Sequence, residues 1–278
     1  MGDLRSSVNC PANGFPIFLL GSGRSGTTLL QKILNSAEGV MVWGEHGGFL
    51  KHIAESYYFN LNNGEIDRQI FRQNPVAKDP NLDFNRLKMK KIGYCWINWY
   101  GKQEITENYG QFIESFFNPH SLQKIYWGFK EIRYGIDDRV MEMLADIFPQ
   151  ARFVFIVRDP IDVLASQVTM GWDGDWKQLA EKWAIQNRQI MNFCRTHEGR
   201  TRLVKFEELI SKESGTIGEL FGWLGFSAGE KQYDILDIEE GIWRKTRDDG
   251  MPHRTMFSKR KLRQVLRIVR VQKDALGY

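Results

Sequence analysis

The chain has 278 residues, 42% of them hydrophobic, with 26% charged and a formal net charge of +4. That is enough for one large α/β domain with a full core, and too ordered in composition for a disordered or collagen-like chain. Its three cysteines, Cys10, Cys95 and Cys194, are odd in number and widely spaced. Neither a disulfide framework nor a zinc site is implied, and a reducing, cytoplasmic setting is the simpler expectation. Residues 1–14 form a polar leader without the pattern of a signal peptide, and no segment approaches the ~20 apolar residues of a membrane span. The charge is uneven: residues 251–273 hold eight Lys/Arg and no Asp/Glu, so the rest of the chain sums to −4. A basic segment on a slightly acidic body points to a local anion site rather than to a nucleic-acid surface.

Ile17 to Leu20 is a short apolar run expected to form a buried strand. Gly21-Ser-Gly-Arg-Ser-Gly26 breaks the pattern, and from Thr27 apolar Leu29, Leu30, Ile33 and Leu34 recur at helical spacing. Strand, glycine-rich turn and helix N-terminus in that order make an anion site. The turn and first-turn N–H groups converge, the helix dipole adds about +0.5 charge, and glycine admits close approach. The spacing fits the phosphate loop G-x-x-x-x-G-K-[ST], except that Thr27 stands at the lysine position. The loop keeps the backbone cradle of Gly23, Ser25, Gly26, Thr27 and Thr28 and carries its positive side chain earlier, at Arg24.

Val40 to Trp43 is a second expected strand, running into Gly44-Glu45-His46-Gly47-Gly48 beside the phosphate turn. A carboxylate there is placed to take a proton from a substrate, and His46 is the nearest rival base. Residues 49–119 are irregular and aromatic, with short helical periods, and are expected to pack over the sheet as an insertion forming much of a ligand pocket, with most of its aromatics in the core. Ile125 to Phe129 reads as a strand ending in Lys130, which would face the crevice. Val140 to Phe148 is helical in pattern, and Arg152 to Val157 is the clearest central strand. It leads into Arg158-Asp159-Pro160 and a helix carrying Ser166 eight residues after Arg158. A guanidinium and a hydroxyl converging from a strand end and the next helix suit a phosphate.

Two motifs, RSGTT at Arg24 to Thr28 and FVFIVRDPIDVLAS at Phe153 to Ser166, lie in this order about 130 residues apart. Here the chain resembles the sulfotransferases that use 3′-phosphoadenosine 5′-phosphosulfate (PAPS). The resemblance implies an α/β fold with a P-loop-NTPase-like central parallel sheet flanked by helices, as a single domain over residues 1–278. It implies that the first loop holds the 5′-phosphosulfate and that Arg158 and Ser166 hold the 3′-phosphate. The product would be 3′,5′-ADP, and no metal is required. Glu45, 21 residues after Arg24, matches the glutamate base of the tyrosylprotein and carbohydrate branches, and Lys130 the lysine that assists departure. Phe206, where the family often has Tyr, lies near the adenine or ribose. A basic loop late in the family chain closes over the 3′-phosphate, which nominates Ser258, Lys259 and Arg260.

The size resembles the small bacterial sulfotransferases of natural-product pathways, so the expected partner is a small-molecule acceptor, with neither nucleic acid nor a membrane span. A saxitoxin-like guanidinium alkaloid is one such acceptor, and Asp173 and Asp175 beside Trp172 and Trp176 would suit a cation. A glycan or a tyrosine on a peptide is the alternative, and the oligomeric state is open. Two other classes fit the first loop: a P-loop nucleotide kinase using Asp159 for magnesium, and a nucleotide-binding module without turnover.

Overall fold

A computed structural model of the chain describes residues 14–72, 101–119, 125–172, 175–211, 215–237 and 257–278. The expected polar leader lies outside them but for Gly14, as do Tyr94, Trp96, Trp99 and Tyr100 of the insertion, Asp173, and residues 251–256 of the basic segment.

Five strands form one parallel sheet: β1 (Phe15–Gly21), β2 (Val40–Trp43), β3 (Tyr126–Glu131), β4 (Arg152–Val157) and β5 (Thr201–Lys205), in the order β2-β3-β1-β4-β5. All seven residues of β1 are buried, as expected of a parallel strand covered on both faces. Alternation divides it: Ile17 and Leu19 join one core and Phe18 and Leu20 the other. β4 splits in the same way, Val154 and Ile156 against Phe153 and Phe155.

The first core is closed by α1 (Thr27–Asn35), α7 (Phe206–Leu209), α8 (Thr216–Leu224) and residues 230–237, helix α9. The opposite core is closed by α2 (Leu50–Arg72), α3 (Lys102–Phe117), α4 (Val140–Ile147) and α6 (Trp176–Thr196). A third cluster joins α5 (Pro160–Thr169) and α6 to α10 (Lys259–Ala275). In α10 Val265 and Val269 are fully buried while Arg263, Arg267 and Arg270 are exposed, so the basic amphipathic pattern is the outer face of a docked helix.

The insertion's described aromatics mainly build core: Tyr57 is fully buried and Phe117 nearly so, because α2 and α3 pack on α4 and the sheet. β5 ends at Lys205, and Phe206 opens a helix.

The chain leaves β1 for the β2 side of the sheet and later returns to build β4 and β5 on the other. The carboxyl end of β1 is therefore the point where the winding reverses, the usual ligand crevice of an open α/β sheet.

Candidate active site

The turn after β1 reaches α1 through two left-handed residues, Arg24 at φ 73° and Gly26 at φ 100°. Ser25 fastens the turn, its Oγ donating to the Ser22 carbonyl at 2.6 Å. Gly26 is the N-cap of α1 and no side chain caps the helix, so its first-turn N–H groups stay available to an anion. Thr27 is buried at the helix start and Thr28 is exposed. A Cβ on Gly26 would lie 2.3 Å from Cδ2 of Phe206, and one on Gly23 would lie 2.0 Å from the Trp172 ring. Gly26→Ala should therefore suffer both left-handed strain and a clash, costing about 1–3 kcal/mol and distorting the cradle. Gly39→Ala is the control, with φ 76° but nothing within 4 Å. Denaturant titration checks this, and equal losses in the two variants would contradict it.

Motifs 130-odd residues apart in sequence meet here. Arg24 Nε donates to Ser166 Oγ at 3.0 Å, and Arg158 Nη1 donates to the Arg24 carbonyl at 3.3 Å. The Arg158 guanidinium lies over the Phe206 ring, 4.4 Å from its centroid, and that ring is 2% exposed. Buried between Gly26 and Arg158, Phe206 offers no open face for a base to stack on; it supports the arginine and shapes the turn. Gln167 Nε2 donates to the Gly23 carbonyl at 2.9 Å, tying α5 to the loop.

Asp159 has a different place from a metal-binding carboxylate. Its Oδ1 accepts from Ile161 N at 2.8 Å as the N-cap of α5, and its Oδ2 pairs with Lys273 Nζ at 3.0 Å. Ser258 caps α10, accepting from Lys261 N, and Lys259 and Arg260 are exposed in its first turn. At 1.5 Å per residue, they sit about 20 Å along the helix from Lys273, the α10 residue that reaches Asp159.

On the other side of β1, Lys130 leaves the end of β3 only 5% exposed and reaches Glu45 Oε1 at 2.6 Å. Arg133 Nη1 holds Glu45 Oε2 at 2.9 Å and Glu131 Oε1 at 2.6 Å. Glu131 is fully buried. Burial pushes its carboxyl up, but hydrogen bonds from Ile132 N and Arg133 outweigh that and leave it below the usual range.

His46, the rival base, is packed among Phe49, Phe117 and Phe129, with Nε2 2.5 Å from the Tyr134 hydroxyl. Burial lowers its pKa from 6.5 to about 4. It is therefore neutral and weakly basic at pH 7. Between those values the unfolded chain binds more protons than the folded one, so stability falls as pH drops from 6.5 toward 4. Denaturant midpoints across that interval should slope less in His46→Gln than in the parent; identical slopes would contradict the assignment.

A cavity of about 770 Å³ opens between these two halves, walled by Ser22, Gly23, Glu45, Trp172, Trp183 and Gln186 among others. Gln186 knits the walls: its Oε1 accepts from Ser22 Oγ at 2.8 Å, and its Nε2 donates to the Ile132 and Tyr134 carbonyls. From the insertion, the described wall residues are Lys51 and His52; the aromatics are Trp172 and Trp183. Asp175 is the N-cap residue of α6, and Trp176 packs into the third core cluster.

Sequence reasoning missed Glu131, Arg133, Gln167 and Gln186. For Gln186 one signal was available, since Leu179, Trp183 and Gln186 fall on one helical face.

A profile of the sulfotransferase family matches residues 136–230, the stretch that carries Arg158 and Ser166. Over that stretch, about a third of its length, the chain is similar to the sulfotransferase family. No curated protein matches this chain. Among solved structures it is similar to the sulfotransferase domain of the Synechococcus PCC 7002 olefin synthase, at 19% identity and TM-score 0.55, covering 97% of this chain and 98% of that one. It is also similar to retinol dehydratase in complex with androsterone and inactive cofactor PAP, at 14% identity and TM-score 0.50, covering 95% and 82%. At such identities these likenesses establish the shared fold. Among the described residues no helix is long and apolar enough to cross a membrane.

Proposed function

We propose that this protein is a sulfotransferase that moves the sulfuryl group of PAPS to a hydroxyl or amine of a small-molecule acceptor. The observation that carries the proposal is the meeting of Arg24, Arg158 and Ser166 beside the uncapped N-terminus of α1. The Arg24 side chain on Ser166 and the Arg158 guanidinium at the Arg24 carbonyl set positive charge beside a helix dipole, which suits an anion. A nucleotide with phosphates at both its 3′ and 5′ positions supplies two such anions. Arg158 and Ser166 would hold the 3′-phosphate, and the N–H groups of Gly23 to Thr28 the 5′ end, with Phe206 acting through Arg158. Retinol dehydratase, which shares the fold, was solved with PAP.

Across the cavity Glu45 takes the acceptor's proton. Lys130, with Arg24 and the loop amides, neutralises charge growing on the departing phosphate oxygen. The cavity lies within the range for small-molecule sites, roughly 300–1,000 Å³. Its described walls set Lys51, Arg133 and Lys182 against the single carboxylate of Glu45, a better match to a neutral or amphipathic acceptor than to a guanidinium alkaloid. Cysteine usage fits work in the cytoplasm.

Transfer of label from ³⁵S-PAPS to a panel of hydroxylated and amine-bearing compounds tests the proposal. Label appearing in an acceptor with release of 3′,5′-ADP is expected. Phosphate transfer from ATP, or donor binding without turnover on any acceptor, would instead support the kinase or the silent module.

A further inference from the structure

Glu131 is a fully buried carboxylate one residue beyond Lys130, and burying a charge is costly unless its oxygens are satisfied. Both are. Oε2 accepts from His46 N at 3.2 Å and Gly48 N at 3.0 Å; Oε1 accepts from Ile132 N at 2.8 Å and Arg133 Nη1 at 2.6 Å. The first two amides belong to the loop that carries Glu45, at the residue that follows it and three residues on. The same Arg133 Nη1 reaches Glu45 Oε2 at 2.9 Å. Glu131 thus grips the Glu45 segment twice, through its backbone and through a shared guanidinium.

We infer that Glu131 is a positioning residue that fixes the Glu45 carboxylate relative to Lys130 and the cavity, an inference that rests on Glu45 being the base. Its strand places it for this task. Lys130 and Glu131 alternate across β3, so one carries charge to Glu45 in the cavity wall while the other turns beneath the loop that carries Glu45. Misplacing a reacting group by about 1 Å costs on the order of 10²-fold in rate.

Glu131→Gln is nearly isosteric but sets an amide NH₂ against N–H donors, so one grip is lost. The expected result is a kcat about 10- to 100-fold lower, with KM for PAPS held within about twofold. Combined with Glu45→Gln, the same change should add less than about twofold, because it acts through the group already removed. Equal losses in both backgrounds, or a rise in KM for PAPS matching the fall in kcat, would overturn the inference. If Glu131→Gln does not fold, Arg133→Leu, at a side chain 45% exposed, breaks the second grip while Ile132 N still serves Glu131 Oε1, and should show the same non-additivity with Glu45→Gln. Amide hydrogen exchange decides independently of turnover: His46 and Gly48 should exchange faster in Glu131→Gln, and unchanged exchange there overturns the inference. Should the parent bind no 3′,5′-ADP and transfer no sulfate, the sulfotransferase proposal falls, while exchange still reports whether Glu131 anchors the loop.

Discussion

Glu45→Gln should lower kcat by about 10²–10⁴-fold, the usual range for losing a general base, while 3′,5′-ADP binds within about twofold of its parent affinity. Glu45 lies across the cavity from the phosphate cradle, so the two readouts separate chemistry from donor binding. The amide keeps an acceptor for Lys130 Nζ, now 2.6 Å from Glu45 Oε1, and avoids leaving a nearly buried ammonium unpaired. His46 does not replace the lost base, because its ring is weakly basic, partly buried and tied to Tyr134. Steady-state kinetics with a labelled donor checks the rate and isothermal calorimetry the binding. Parent-like turnover would remove Glu45 from the base role.

The second large effect is expected at Lys130. Lys130→Met removes the charge paired with Glu45, and should lower kcat by about 10²–10³-fold, as for removal of one preorganised donor to a developing anion. Methionine fills much of the lysine stem's volume at a site 5% exposed, so folding should be retained. Lys130→Arg keeps the charge but spreads it over a planar fork, and should recover only part of the loss. A raised acceptor KM with unchanged kcat would show Lys130 to be a binding group only.

The halves of this site differed in how legible they were, for a physical reason. The phosphate cradle is local: one strand, one turn and one helix start, all within Phe15–Asn35, encode it through apolar period and glycine placement. Arg158 and Ser166 are similarly local, at a strand end and on the helix that follows. Their union with Arg24 needs only that β1 and β4 be neighbours. Glu131 and Arg133 were not legible, because in the sequence they look like charges at the exposed end of a strand. Their meaning comes from amides and a carboxylate 83 to 88 residues upstream. Phe206 was placed in the right neighbourhood with the wrong surroundings: it was expected at the ligand, and lies beneath the arginine. Composition could not say which rings meet the cavity: Tyr57 and Phe117 of the insertion fill core, while Trp183, on a helix of ordinary amphipathic pattern, lines it. Asp159 resembles a metal ligand in sequence only until its N-cap bond to Ile161 and its pair with Lys273 are in view.

The central claim is that Arg158, Ser166 and the loop at Arg24 hold a nucleotide by phosphates at two positions. Calorimetric titration of the parent and of Arg158→Leu with 3′,5′-ADP and with 5′-ADP, each with and without magnesium, tests it most directly. Charge-assisted bonds to a phosphate are worth roughly 1.5–3 kcal/mol, so 3′,5′-ADP should bind at least about tenfold more tightly than 5′-ADP, without needing magnesium. Arg158→Leu should erase most of that preference. Equal or tighter binding of 5′-ADP, or a magnesium requirement, would contradict the account.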